Sequence, residues 1–209
     1  TAVGYLALEN TTGDSNTAVG YAAGQANSTG NELTALGYNA LNDNTTGYKN
    51  TAVGVYSLDA NTTGYSNTAI GHLSLSANTT GWGNNAFGNE ALEVNTEGSL
   101  NIGIGQWALT ANTTGGSNVG IGYNALKNNT TADHNVAVGR EALWANTTGT
   151  QNAAVGYKAL QNNDTANDNT AVGYEALNDN TTGAKNIGIG YGAGDAITTG
   201  SNNTIIGDY

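Results

Sequence analysis

Apolar and polar residues recur along the whole chain with one spacing. Each unit carries a bulky apolar residue at its third position followed by Gly, a Leu four residues after that Gly, and then a polar segment that is typically Asn-Thr-Thr-Gly. The twelve units begin at Thr1, Thr17, Thr34, Thr51, Thr68, Asn85, Ile102, Val119, Val136, Ala153, Thr170 and Ile187, and a partial unit begins at Thr204. The spacing is 17 residues, except for 16 in the first unit. A fixed internal period predicts a repeat architecture in which each unit stacks on its neighbours.

Each unit predicts a short β-strand, a second extended piece and a turn. Thr, Val, Ile and Tyr in segments such as T-A-V-G-Y favour strands. The segment N-T-T-G is typical of a turn, because Asn and Thr bond nearby backbone and Gly permits a positive φ. Helical repeats are longer, at more than about 30 residues. We therefore predict an all-β fold, a parallel β-solenoid of about twelve coils that spans residues 1–209 as a single domain.

Alternation along the predicted strand assigns its two faces. Position 3 of the unit is always bulky and apolar, which predicts that it lies in the core, whereas positions 2 and 4 are almost always Ala or Gly. A column of small residues indicates that another chain packs closely against that side. Positions 3 and 8 supply only about two large apolar side chains per coil, which makes a thin core. We therefore expect several chains to share a core, as a parallel homotrimer.

Two residue types hold nearly fixed positions in the unit. Gly at position 4 predicts close backbone approach or a bend, and Asn at positions 11 and 17 predicts ladders of stacked amides. The Gly column comprises Gly4, Gly20, Gly37, Gly54, Gly71, Gly88, Gly105, Gly122, Gly139, Gly156, Gly173, Gly190 and Gly207. The column at position 17 includes Asn50, Asn67, Asn84, Asn101, Asn118, Asn135, Asn152, Asn169 and Asn186.

Composition and charge narrow the classes of function. The net charge of −11 with five basic residues argues against nucleic-acid binding, which needs clustered Lys and Arg. No apolar run approaches the roughly 20 residues of a membrane span, so we expect no membrane contact within this segment. The absence of Cys excludes disulfides and thiolate metal sites. The chain has no Met and begins and ends within the repeat, so we expect a piece of a longer fibrous protein.

No recurring group of side chains predicts catalysis. His72 and His134 lie in different units at variable positions, with no Ser or carboxylate in a fixed relation to either, and we expect both at the surface. The Gly-x-Gly stretches lack the context of a phosphate loop. Asn-Asp clusters such as 42–44 and 178–180 offer oxygen ligands for Ca²⁺, but they also fit turns. We predict a protein that is not an enzyme, with no catalytic residue, cofactor or metal site.

Three surface features leave lateral binding open. Tyr fills position 5 in seven units, and Tyr123, Tyr157, Tyr174 and Tyr191 are candidate contacts for a glycan, unless they only stack on each other. Thr at positions 12 and 13 suggests a regular array for ice binding, although at most one of the two columns faces outward. Ten units carry Asn-x-Thr, which is either an acceptor for N-glycosylation or simply the turn.

The strand-forming segments resemble the head repeats of trimeric autotransporter adhesins, which are built on an N-x-x-A-I-G-like core. The matching stretches are NTAVG (16–20), NTAIG (67–71), NIGIG (101–105 and 186–190), NVGIG (118–122) and NVAVG (135–139). The unit here is longer, by the N-T-T-G segment. The last stretch, 186–209, is also similar to the repeat tracts of phage tail fibres.

Both resemblances imply a left-handed β-roll, a parallel homotrimer and an extracellular location, in a virion tail fibre or at a bacterial cell surface. They imply a structural fibre or stalk that holds a receptor-binding tip, which lies outside this sequence and contacts a cell-surface glycan or receptor. The alternative is a lateral binding module that contacts a glycan through the Tyr column or ice through the Thr column.

Overall fold

A computed structural model describes residues 1–208 as a parallel β-solenoid. Each 17-residue unit forms one coil with one short strand, and thirteen strands make a single sheet in chain order. The strands are β1 (Ala2–Val3), β2 (Thr17–Val19), β3 (Thr34–Leu36), β4 (Thr51–Val53), β5 (Thr68–Ile70), β6 (Asn85–Phe87), β7 (Ile102–Ile104), β8 (Val119–Ile121), β9 (Val136–Val138), β10 (Ala153–Val155), β11 (Thr170–Val172), β12 (Ile187–Ile189) and β13 (Thr204–Ile206). The predicted fold class and coil length are confirmed.

The pairing register of the sheet follows the repeat. Ala52 pairs with Ala69 and Val53 with Ile70, an offset of 17 residues that recurs between neighbouring strands from β2 to β13. Between β1 and β2 the offset is 16, because Val3 pairs with Val19. The first coil is therefore one residue shorter in its loop and not in its strand, and each strand side chain still stacks on the equivalent side chain of the next coil.

The connection between strands turns through left-handed backbone. Gly at position 4 has φ between 126° and 144°, which confirms the predicted bend. Positions 6 and 8 are also left-handed, as in Asn39 (52°) and Leu41 (55°). The prediction of a second extended piece around Ala-Leu is therefore wrong, because these residues turn the chain around the core. A left-handed Leu costs roughly 1–2 kcal/mol, so the packing of neighbouring coils must hold it in place.

The core consists of Ala on the strands and one Leu in most coils. Ala52 and Ala69 at position 2 and Leu58 and Leu75 at position 8 are fully buried. The prediction that position 3 lies in the core is wrong, since Val155 at that position is 40% exposed. The interior has no room for it: even a Cβ on Gly120, at position 2, would lie 3.2 Å from Leu109 Cγ. The large β-branched residues therefore face outward.

The Gly column marks close approach within the chain. A Cβ on Gly122 would lie 2.6 Å from the carbonyl oxygen of Gly139, the equivalent residue of the next coil. Position 2 meanwhile faces the interior of its own coil. The prediction that the small-residue columns pack against another chain is therefore wrong, because successive coils of one chain already occupy that space.

Two coils near the ends redistribute their apolar volume. In coil 2, Gly24 stands at position 8 in place of Leu, and Leu33 is buried at position 17 in place of Asn. In coil 12, a Cβ on Gly194 would lie 3.4 Å from Ile197 Cδ1 and 3.3 Å from Ile205 Cδ1. Isoleucine side chains thus fill the space that Leu occupies elsewhere, and the packing of the interior is maintained.

Two glycines of one strand region give a matched test of this geometry. Gly122→Ala should lower the free energy of unfolding by about 2 kcal/mol or more, because φ is +133° and the next backbone is too close. Gly120→Ala should cost less than about 1 kcal/mol, because Ala occupies position 2 in nine coils. Urea unfolding followed by circular dichroism compares them, and equal losses would contradict this account of the Gly column.

Candidate assembly and binding surfaces

The outward side of the sheet carries an unbroken apolar column beside a column that is mostly Thr. We call the side chains at positions 1 and 3 of all thirteen strand segments the strand face. Position 3 is Val, Leu, Ile or Phe throughout, and position 1 is Thr in seven coils. Exposed fractions include 37% for Val19, 38% for Phe87 and 39% for Ile104. None of these outward residues is charged, although the chain carries a net charge of −11.

The strand face is large enough for a protein interface. A strand spacing of about 4.8 Å gives a length of about 58 Å, and three residues per strand give a width of about 10 Å, or roughly 600 Å² in projection. Weak specific interfaces bury up to about 600 Å² per partner, so the strand face matches the low end of the range. Exposed apolar patches of several hundred Å² mark interaction sites. The size and apolar character of the strand face therefore indicate a contact surface.

Two buried Asn ladders hold successive coils together, as predicted. At position 11, Asn61 Nδ2 donates to Asn44 Oδ1 at 2.7 Å and to the carbonyl oxygen of Gly64 at 3.0 Å. At position 17, Asn50 Oδ1 accepts from the backbone N–H of Asn67 at 2.9 Å, and Asn50 Nδ2 donates to the same Gly64 carbonyl at 2.7 Å. One carbonyl in each turn therefore joins the two ladders.

Burial of these amides bears on the Asn-x-Thr triplets. Asn44 and Asn112, at position 11, are fully buried and donate hydrogen bonds within the ladder. A folded coil does not present such a side chain to a glycosylating enzyme, so the structural interpretation of the triplet is favoured. Asn10 differs, because the shortened first coil places it at the surface.

The Thr columns divide into one bonded column and one free column. At position 12, Thr62 Oγ1 donates to the carbonyl oxygen of Thr79 at 3.0 Å, and the same bond recurs along the solenoid. At position 13, Thr63 and Thr80 are exposed. A single exposed row is narrower than the regular two-dimensional array that ice binding would use.

Aromatic side chains stack along the axis. The closely spaced sets are Tyr5, Tyr21, Tyr38 and Tyr56; Tyr48, Tyr65 and Trp82; Trp107 and Tyr123; and Tyr157, Tyr174 and Tyr191. Their neighbouring ring centroids lie 4.9 to 5.6 Å apart. Stacking at this distance stabilises adjacent coils through ring contact.

The four tyrosines proposed as glycan contacts lie in one column. Tyr157, Tyr174 and Tyr191 stack at 5.1 and 4.9 Å, and the Arg140 guanidinium lies 5.4 Å from the Tyr123 ring and 5.9 Å from the Tyr157 ring. The faces of Tyr157 and Tyr174 are thus covered, which leaves mainly ring edges and hydroxyl groups for a ligand. This geometry favours the structural interpretation, and glycan contact by the column stays a prediction.

The remaining candidates for chemistry are dispersed. His72 and His134 are exposed, and His72 Nδ1 lies 3.2 Å from Asn89 Oδ1. Within residues 1–208 there is no pocket, and no three His, Asp or Glu side chains are grouped to hold a metal ion. The same residues include no helix long and apolar enough to cross a bilayer.

Comparison of the chain with protein-family models, with curated proteins and with solved structures finds no match. The class of protein that the fold defines is a parallel β-solenoid repeat protein. The strand face, the Asn ladders and the aromatic stacks are therefore the features that bear on its role.

The Asn ladder should tolerate no apolar replacement. Asn112→Leu removes the donor to Asn95 Oδ1 and the acceptor for Asn129 Nδ2, which leaves Asn95 Oδ1 buried without that donor and Asn129 Nδ2 with only its bond to the Ala132 carbonyl oxygen. The expected loss in free energy of unfolding is about 2–4 kcal/mol. The exposed Thr114→Val change in the same turn should stay within about 0.5 kcal/mol. Denaturant unfolding measures the stability of both variants. A loss for Asn112→Leu no larger than that for the control variant Thr114→Val would refute a stabilising ladder.

One carboxyl group should make stability depend on pH. Burial, and secondly the Asp43 carboxylate, raise the pKa of Asp59 from 3.8 to about 6 in the folded chain. The folded state therefore binds the proton more tightly, and the stability gained is present below about pH 4 and lost as the pH rises through 6. Because Asp59 is only half-buried, we expect an effect on the order of 1 kcal/mol.

Asp59→Asn tests this dependence. The Asn side chain at position 59 carries no charge at any pH. The free energy of unfolding of the variant should therefore not fall between about pH 4 and 6.5, and at pH 7 it should exceed that of the parent chain. Asp179→Asn removes one negative charge at an exposed site and serves as the control. Identical pH profiles for the parent chain and Asp59→Asn would exclude this role for Asp59.

Proposed function

We propose that the chain is a structural, non-enzymatic segment of an extracellular fibre. Copies associate side by side through the strand face as a parallel homotrimer, and the fibre holds a receptor-binding tip away from a virion or a bacterial cell. The single observation that carries this proposal is the strand face, which is uncharged and exposes an unbroken apolar column at position 3 along all thirteen strands. Its setting is a phage tail fibre or a bacterial surface adhesin.

The distribution of charge favours copies of the same chain as the occupants. All sixteen acidic and all five basic residues lie at positions 5 to 16 of the coils, away from the strand face. Acidic copies repel one another wherever their loops approach, and they can associate where uncharged surfaces meet. A second copy also offers an apolar surface of the same length and the same row spacing.

Parallel association brings equivalent rows together. The most apolar rows are those of β7, β8, β9 and β12, where positions 1 and 3 are both Ile or Val. In a three-fold arrangement, each copy meets two neighbours, and each column of the strand face contacts one of them with about 300 Å², so all three contacts together hold the assembly. The resemblance to trimeric adhesins and tail fibres supports this number of chains and a left-handed winding.

The work of such a segment is mechanical. Strand pairing, two Asn ladders and the Thr bonds at position 12 link each coil to the next at several points around its circumference. Bending the rod would strain all of these bonds together. A stiff, regular spacer is therefore the role that the repeated bonding supports.

The native mass of the chain in solution, measured by light scattering, tests the assembly. We expect three times the 21.1 kDa mass of one chain. Introducing Ile104→Glu together with Ile121→Glu places two carboxylates per copy on the strand face. That variant should be monomeric, because burying them without partners costs several kcal/mol each.

The control places the same charges elsewhere. Thr114→Glu with Thr131→Glu alters the exposed position 13 of the same two coils and should leave the assembly intact. A folded monomer for the parent chain, or an assembly that survives both strand-face substitutions, would overturn the proposal.

A further inference from the structure

A second aromatic column lies at position 15, outside the strand face. Tyr48, Tyr65 and Trp82 stand in three successive coils with ring centroids 5.0 and 5.6 Å apart and interplanar angles of 1° and 3°. Tyr48 is 42% exposed and Trp82 is 38% exposed. The three rings therefore form a nearly parallel stack at the surface.

The stack ends abruptly at Trp82. The next residues of the column are Ser99 and Gly116, which carry no ring, and Ser99 Oγ accepts a hydrogen bond from the Trp82 backbone N–H at 3.1 Å. Among residues 1–208, no aromatic ring or cation lies over the second face of Trp82. By contrast, the Lys127 ammonium lies 4.8 Å from the centroid of Trp107. Trp82 is thus an end ring of its stack, and in the described part of the chain its second face carries neither a ring nor a cation.

Two side chains border the space beyond this face. Leu100 lies against Gly83, where an added Cβ would be 3.0 Å from Leu100 Cδ2, and Leu100 is 49% exposed. Asp133 reaches back to the preceding coil, where its Oδ1 accepts from the Gly116 N–H at 2.6 Å. We call the open surface region bordered by Trp82, Ser99, Leu100, Gly116 and Asp133 the Trp82 notch; it is not an enclosed pocket. Its axial height is about two strand spacings, or roughly 10 Å.

The dimensions and chemistry of the notch fit one sugar ring. The coil spacing of about 4.8 Å is also a ring-stacking distance, so a ring stacked on Trp82 would lie at the height of Ser99. The C–H face of a pyranose is apolar and suits the indole. Its hydroxyl groups can donate to the carboxylate of Asp133 and to Ser99 Oγ, whose own proton is donated to the Glu97 carbonyl oxygen. The negative charge of the chain disfavours an acidic sugar.

We propose that the Trp82 notch is a binding subsite for a neutral pyranose, such as a hexose or an N-acetylhexosamine unit of a longer glycan. The sugar continues the stack that Tyr48, Tyr65 and Trp82 begin. This goes beyond the spacer role, because it gives the side of the rod a specific contact of its own. It also differs from Tyr157 and Tyr174 of the column at position 5, whose ring faces are covered by neighbouring groups.

Fluorine NMR of the full chain labelled with 5-fluorotryptophan tests the subsite. The chain has three Trp residues, and single Trp→Phe variants assign their signals. Maltotriose, lactose and chitotriose are added separately at millimolar concentrations. We expect a saturable shift of the Trp82 signal with at least one of them, while the signals of Trp107 and Trp144 stay in place.

Ser99→Tyr is the decisive variant. The new ring should extend the stack, fill the notch and weaken saccharide binding by about tenfold or more. Ala184→Tyr adds a ring to the same column far from the notch and should leave binding unchanged. Leu100→Ser, which restores a residue found at position 16 in two other coils, should keep the fold and weaken binding several-fold.

The outcomes separate this proposal from the fibre proposal. No shift of the Trp82 signal with any of the three saccharides, or equal binding by the parent chain, Ser99→Tyr and Leu100→Ser, would overturn the subsite. Light scattering on the same samples reports assembly independently, so a monomer that binds sugar and a trimer that does not are distinct results.

Discussion

The vertical stacking of identical residues at the strand spacing is the constraint on which this structure depends. Each residue meets its own equivalent in the coils on either side, so a residue type is retained only if it packs well against itself. Gly at position 4 satisfies this condition because its backbone approaches the next Gly too closely for a side chain. Asn at position 11 satisfies it because each amide donates to the neighbouring amide, and Asn at position 17 satisfies it because its oxygen accepts from the backbone N–H of the next Asn.

The same constraint explains which features the sequence could predict. The period, the β character, the bend at Gly and the Asn ladders are each visible as fixed columns. The inward side of the strand was assigned wrongly, because alternation separates two faces without saying which is enclosed. The usual preference for burying the larger side chain fails here, since Leu and two Asn columns already fill so small a coil. The left-handed Leu residues carry no signal in sequence, because Leu rarely adopts that conformation.

The candidate surfaces also differ in how far the sequence alone could predict them. The tyrosine column at position 5 was visible from its spacing, but only coordinates reveal that its rings cover each other. The end of the other stack could have been read from the column Tyr48, Tyr65, Trp82, Ser99, in which three rings are followed by a hydroxyl. The strand face was recognised as apolar and then placed on the wrong side. Correcting its direction strengthens the case for association, because the apolar residues remain available to a partner.

The constant offset between coils has a consequence for how the repeat array can evolve. Since each coil contacts only its neighbours, and through the same set of bonds, an in-frame duplication or loss of one 17-residue unit leaves every remaining contact in place. Unequal recombination between similar gene segments can therefore lengthen or shorten the rod by single steps of about 4.8 Å. The length of the solenoid is therefore a quantity that selection can adjust in fixed steps, separately from the chemistry of its surfaces.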